Sequence, residues 1–154
     1  MKTSLVGFDL IATSEGCFLT VGDDCGHPVI GHGHDLTAEE IAANAYADGI
    51  TQGEADALLW TDLRTRYEPI LNEALTRYGI AVNQNQYDAL ADFTYQFEDG
   101  INQLLGHGLA QVPYQLYHEN PDGSEHGWIF VEGKPSAGLI ARRQREIALF
   151  NTPV

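Results

Sequence analysis

The stretch from Cys17 to Asp35 constrains the fold more than any other. It carries four glycines (Gly22, Gly26, Gly31, Gly33) and Pro28 among the short apolar fragments Phe18-Leu19 and Val29-Ile30. Glycine at this density supplies tight turns that a helix interior does not use, and short apolar pieces between turns suit strands. The span is therefore predicted to be a small antiparallel hairpin. Before it, Ser4 to Thr13 places Leu5, Phe8 and Leu10-Ile11 at helical spacing, and Glu15-Gly16 ends that helix. After it the period changes for good. Thr37-Ala38-Glu39-Glu40 and Thr51-Gln52-Gly53-Glu54 are capping boxes, in which the threonine and the glutamate each satisfy a free backbone N–H of the first turn. They predict one helix running to Asp48-Gly49 and another through Leu63. Pro69 is expected to break or restart the second, and Gly79 to end the next piece. Asn83 to Phe97 is an amphipathic helix, residues 101 to 118 a glycine-interrupted helical stretch, and Asn120-Pro121-Asp122-Gly123 a turn. Ser136 caps a last helix, Leu139 to Phe150. Helix, hairpin, then helices alone predicts an α+β fold. It reads as one domain over 1–154, a small hairpin lobe at about 17–35 set on a helical body at about 50–154.

Charge narrows the partners. The 154 residues include 22 acids and eight bases, for a net charge of −14, and four of the bases (Lys134, Arg142, Arg143, Arg145) lie at or beyond position 134. So acidic a surface opposes nucleic acid and stable association with anionic membranes. No apolar run is long enough to span a bilayer. Asp9 interrupts the N-terminal apolar run too early for a signal peptide, so synthesis in the cytosol is expected, with export needing outside help. A monomer is expected. Cys17 and Cys25 read as free thiols in such a product, with a bridge open if the hairpin brings them face to face.

Chemistry concentrates between Glu15 and His34. A carboxyl at a helix C-terminus faces the negative end of the helix dipole, which disfavours its ionised form and suits Glu15 to donate a proton. Asp23 or Asp24, in a polar glycine-rich turn, should stay ionised. Two carboxyls in unlike surroundings are the acid and base of glycoside hydrolysis. His27, His32 and His34, with Cys25 beside them, fit no common structural zinc spacing, so neither metal nor cofactor is expected. His107, His118 and His126 read as surface residues.

These residues, in this order, resemble a known family. Glu15-Gly16 followed by Asp23-x-x-Gly26-x-x-Val29-Ile30-Gly31-x-Gly33-His34 is similar to the signature of the phage-type lysozymes (endolysins). The likeness continues through Ile50-Thr51, Glu54-Ala55, Leu58-Leu59 and Asp62-Leu63, then Asn83 to Leu90 and Phe93. It closes with Gly127-Trp128, Gly133, Gly138-Leu139, Arg142-Arg143, Glu146 and Leu149-Phe150. The resemblance implies the two-lobed lysozyme-like fold and a muramidase that lyses bacterial peptidoglycan. It casts Glu15 as the general acid and Asp23 as the second carboxylate, with Asp24 the alternative because the chain is one residue short between Leu19 and Asp23. Val29 stands where the family has a threonine that holds the attacking water, and it brings no hydroxyl. His32, Arg142 and Arg143 are implied as substrate contacts; the resemblance puts the two arginines near the cleft, where one could contact Glu15 or an anionic peptide stem, although both also suit a solvated helix end. His34 and Asp62 form an implied structural pair, and Trp128 is implied as core rather than sugar platform. Two other readings stay open. One is a lytic transglycosylase, which needs no activated water. The other is a wall-binding module of lysozyme fold with weak or no turnover.

Overall fold

The computed structural model describes residues 1–24 and 26–154. Helix α1 (Leu5–Glu15) starts at Ser4, whose hydroxyl accepts from the Val6 N–H. A second acceptor comes from far along the chain. Asp88, fully buried on α5 (Gln84–Gln96), accepts from the Ser4 N–H at 2.9 Å and from the Ser4 hydroxyl at 2.5 Å. The helices meet closely because position 7 is glycine: a β-carbon there would come within 2.7 Å of Asp88 Oδ1. This joint fixes the direction of α1 and hence the position of its last residue, Glu15.

The hairpin lobe has three strands rather than two, β1 (Phe18–Asp24), β2 (His27–Gly31) and β3 (His34–Asp35), antiparallel in the order β1-β2-β3. Phe18 pairs with Gly31 and Gly22 with Val29, so β1 carries a bulge between Phe18 and Gly22. On β3, Asp35 pairs with Val29 and His34 with Ile30. Cys17 is exposed, and its pairing with Cys25 lies outside the described residues.

Helix α2 (Ala38–Ala43) begins at the Thr37 capping box but stops well short of Gly49. It buries no residue against the core, and Asn44 ends it in the left-handed conformation at φ 49°. Helix α3 (Gln52–Asp62) does not break at Pro69; a new helix restarts there. Helix α3 first widens into a π-helical turn, Leu63–Tyr67, that leads directly into α4 (Glu68–Tyr78). Pro69 then sits in the first turn of α4, where its missing N–H costs little.

Residues 101 to 118 also depart from one interrupted helix. They form α6 (Gly100–Gly106), a 3₁₀ turn (Leu109–Gln111) and α7 (Val112–Leu116), and then enter strand β4 (Tyr117–Glu119), which pairs with β5 (Glu125–Gly127) across the turn at 120–123. A smaller pair, β6 (Phe130–Val131) and β7 (Lys134–Pro135), precedes α8 (Ala137–Phe150), which Ser136 caps. The helical body thus carries two hairpins whose strands are too short for a two-residue alternation to stand out in sequence.

Two apolar clusters hold the lobes. One fills the body around Leu90, Phe93, Ile101, Leu104 and Phe150. The other joins Phe8 and Ile11 of α1 to Leu59, Leu63, Tyr67 and Tyr95. This second cluster underlies the groove between hairpin and body.

Candidate active site

A cleft of about 450 Å³ opens between the lobes, lined among others by Glu15, Phe18, Asp23, Asp24, Val29, Asp35, Tyr67 and Tyr95. Glu15 enters it from the end of α1. Its Oε1 receives Arg142 Nη1 at 2.6 Å, an ion pair whose arginine is 5 % and whose carboxylate is 23 % exposed. On its other side Arg142 is held by Asp92 of α5, through Nε at 3.1 Å, through Nη2 at 2.8 Å, and by the Asp92 carbonyl at 3.2 Å. Burial works against the Arg142 charge, but Asp92 and Glu15 outweigh it and drive its pKa upward. Beyond lie Arg143 and Glu146, both fully buried and bonded to each other. Burial raises the Glu146 pKa strongly, more than the Arg143 charge lowers it.

Neither arginine therefore lies on a solvated helix end. Arg142 reaches the cleft only through Glu15, and Arg143 is enclosed below Phe93 and Phe97, its guanidinium carbon 5.1 Å and 5.3 Å from their ring centres. His32 is likewise 5 % exposed. Its Nδ1 donates to the Gly16 carbonyl, its Nε2 lies 2.9 Å from Asp56 Oδ1, and its own carbonyl accepts from the Tyr95 hydroxyl at 2.9 Å. It pins the residue that follows Glu15. The two arginines are covered by the packing of α8 on α5, and His32 by Gly16 and by Asp56 of α3.

Asp23 and Asp24 both line the cleft from the tip of β1. Asp23 Oδ1 accepts from the Gly26 N–H at 2.9 Å, which ties it to the β1–β2 turn. Gly22, across from Val29, shares its strand face with Asp24, while Asp23 starts from the opposite face. Val29 is 5 % exposed and presents methyls to the cleft. Gly33 turns the chain at φ 91°, a left-handed conformation that favours glycine, and brings it alongside Glu15 Oε2 and Tyr95.

His34 lies behind the cleft wall. Its Nδ1 donates to Asp62 at 2.8 Å and its Nε2 approaches Glu40 at 3.2 Å. The Asp62 hydrogen bond, opposed by burial and helped by Glu40, lifts the His34 pKa to about 9. Burial alone would raise Glu40, but bonds from Tyr46, the Thr37 amide and His34 hold it down to about 2. Among the described residues no group of three His, Cys, Asp or Glu side chains is arranged to hold a metal ion.

Trp128 is half-buried, edge-on to Phe93 at 5.2 Å, with part of its ring on a second groove beside Arg66, Gln96, Glu98 and Gln103. His118 and His126 stack face to face at 5.2 Å across β4 and β5, and His107 is exposed. Sequence reasoning missed Asp92, Tyr67, Tyr95 and Asp35. A signal for Asp92 was present, since Asp88 and Asp92 sit one turn apart on the apolar side of α5, where an unpaired acid would be costly.

Comparison with known proteins places these elements together. The phage lysozyme family model matches residues 12–146, from α1 to Glu146 on α8. The endolysin of Lactococcus phage c2 is 32 % identical, aligned over 100 % of this chain and 62 % of that protein. The endolysin of Bacillus phage PZA is 28 % identical, over 99 % and 56 %. This chain thus spans less than two thirds of the length of these relatives. Among solved structures, the muramidase domain of SpmX from Asticaccaulis excentricus superposes with a TM-score of 0.69 at 28 % identity, covering 99 % of both chains. Since the family model takes in Glu15, the whole hairpin lobe and the buried arginine that pairs with Glu15, the chain belongs to the phage lysozyme family.

Proposed function

We infer that this protein cleaves the glycan strand of bacterial peptidoglycan, hydrolysing the β-1,4 bond between N-acetylmuramic acid and N-acetylglucosamine without metal or cofactor, as a monomer acting at the wall. One observation carries the reading: Glu15 stands on the body side of the cleft facing carboxylates on the hairpin side. A sugar bond lying between them meets a proton donor on one side and a water-activating carboxylate on the other. Glu15 gives its proton to the leaving glycosidic oxygen as the C–O bond breaks. Water adds to the anomeric carbon, and its proton passes to the carboxylate assigned here to Asp23, with Asp24 the alternative. Arg142 is assigned to orienting Glu15, and His32 and Arg143 to supporting the wall. The test is Glu15→Gln on purified sacculi, with circular dichroism alongside. Lysis should vanish while the fold persists, because an amide cannot donate the required proton. Activity within tenfold of wild type overturns the assignment.

A second reading rests on Val29. Its methyls leave the hairpin wall without a hydroxyl at the position where water would be held. That favours a transglycosylase, in which the muramic acid's own hydroxyl attacks.

A further inference from the structure

The cleft holds an acidic residue that the reading above leaves without a task. Asp35 lines it together with Glu15, Asp23 and Val29. Strand pairing sets Asp35 directly across from Val29, and residues so paired share a sheet face, with β-carbons about 4.5–5.5 Å apart. The neighbouring residue shows the alternation: His34 turns to the opposite face, where it binds Asp62 and Glu40. Asp35 is also free to act. Its side chain is 58 % exposed, and among the described residues its charged partner is Arg66, at 3.5 Å, which lies nearer Glu98, at 2.7 Å. Asp35 is close enough to the cleft tyrosines to help raise the pKa of both Tyr67 and Tyr95, after burial, which is the larger cause in each.

We propose that Asp35 holds the attacking water above Val29, supplying from β3 the polar contact that the side chain at position 29 cannot. The inference rests on the hydrolase reading. Asp35 accepts one hydrogen bond from the water, which leaves its oxygen lone pair directed at the anomeric carbon while Asp23 takes the other proton. After bond cleavage the water oxygen is the new anomeric hydroxyl. Glu15 has lost one proton, Asp23 has gained one, and exchange with solvent restores both. A hydroxyl at position 29 and a carboxylate at position 35 are then two ways of meeting one need from adjacent strands.

The experiment compares Asp35→Ala, Val29→Thr, the double variant and Arg66→Ala on purified sacculi, with thermal melts of each. Asp35→Ala is expected to lose at least about tenfold in rate with an unchanged melt, since one hydrogen bond to the water disappears. Adding Val29→Thr should restore most of that loss. Arg66→Ala should stay within about threefold of wild type, because it removes the ion pair but leaves the carboxylate. A loss in Arg66→Ala equal to that of Asp35→Ala would reduce Asp35 to a clasp between lobes and overturn the proposal. So would wild-type activity in Asp35→Ala, or a loss that Val29→Thr does not repair. Failure of the hydrolase reading looks different, because the wild-type chain itself would then release no reducing ends.

Discussion

Arg142 Nη1 lies 2.6 Å from Glu15 Oε1, joining two helices 127 residues apart. Because the same guanidinium is gripped by the buried Asp92 on its far side, Glu15 is oriented by a rigid fork and not by a mobile surface cation. Three helices therefore converge on one carboxyl.

Removing that fork should affect stability and rate separately. Arg142→Ala strands the Asp92 carboxylate in the interior and should cost about 3–5 kcal/mol. Arg142→Lys keeps the charge but offers one ammonium where two parallel contacts are made. It should fold, with a smaller stability loss, yet lyse at least about tenfold more slowly, because Glu15 loses its fixed orientation. Urea denaturation and turbidity assays give the two numbers. Wild-type rate in Arg142→Lys would mean that charge alone is needed.

Asp23→Asn and Asp24→Asn separate the two hairpin carboxylates. Asp23 keeps the family spacing to Gly26, Gly31 and His34, and is tied to the turn by the Gly26 amide. Asp24 shares the strand face of Gly22. Asp23→Asn is expected to hurt turnover far more than Asp24→Asn. Equal or reversed losses in initial lysis rate would move the assignment to Asp24.

The His34–Asp62 pair should show as a pH-dependent contribution to stability. His34 has its folded pKa raised to about 9, above an unfolded value of about 6.5. Its contribution is therefore fully present below the unfolded value and is lost as pH rises through the folded one. Glu40 works in the opposite sense: held down to about 2, it contributes above its unfolded pKa and loses that contribution as pH falls through the folded value. Asp62→Asn should thus be most destabilising near pH 6 and approach wild type above about pH 9. Melts from pH 5 to 10 measure it. A deficit that stays constant at the alkaline end counts against the pair.

Much of this site was legible in the sequence for identifiable reasons. Glu15-Gly16 marks a helix end, and Gly33 takes the left-handed φ that favours glycine, so the short motif carries geometry directly. The capping boxes at Thr37 and Thr51 form as read, since their hydrogen bonds are local. What failed depended on distant partners. Arg142 and Arg143 look solvated in isolation, and only the packing of α8 on α5 reveals that both are interior. Asp35 is silent in sequence because its meaning comes from the Val29 register. Helix α2 was read too long because a capping box announces a start and says nothing of the burial needed to continue.

The products distinguish the two enzymatic readings. If a hairpin carboxylate activates water, each cut leaves a reducing-end muramic acid and the product gains one water. If the muramic acid's own hydroxyl attacks, the ring closes and the product is an anhydro sugar, lighter by that water. Val29 removes one hydrogen bond to the water, worth roughly 0.5–1.5 kcal/mol, or about a tenfold loss in rate at most. That is too little to silence a cleft that still presents Asp23, Asp24 and Asp35 on its hairpin side. Hydrolysis is therefore expected, with Val29→Thr raising the rate by a few fold and leaving the product unchanged. Mass spectrometry of digested sacculi reads the outcome. Predominantly anhydro-muropeptides from the wild-type chain would transfer it to the transglycosylases and leave the hairpin carboxylates without a water to activate.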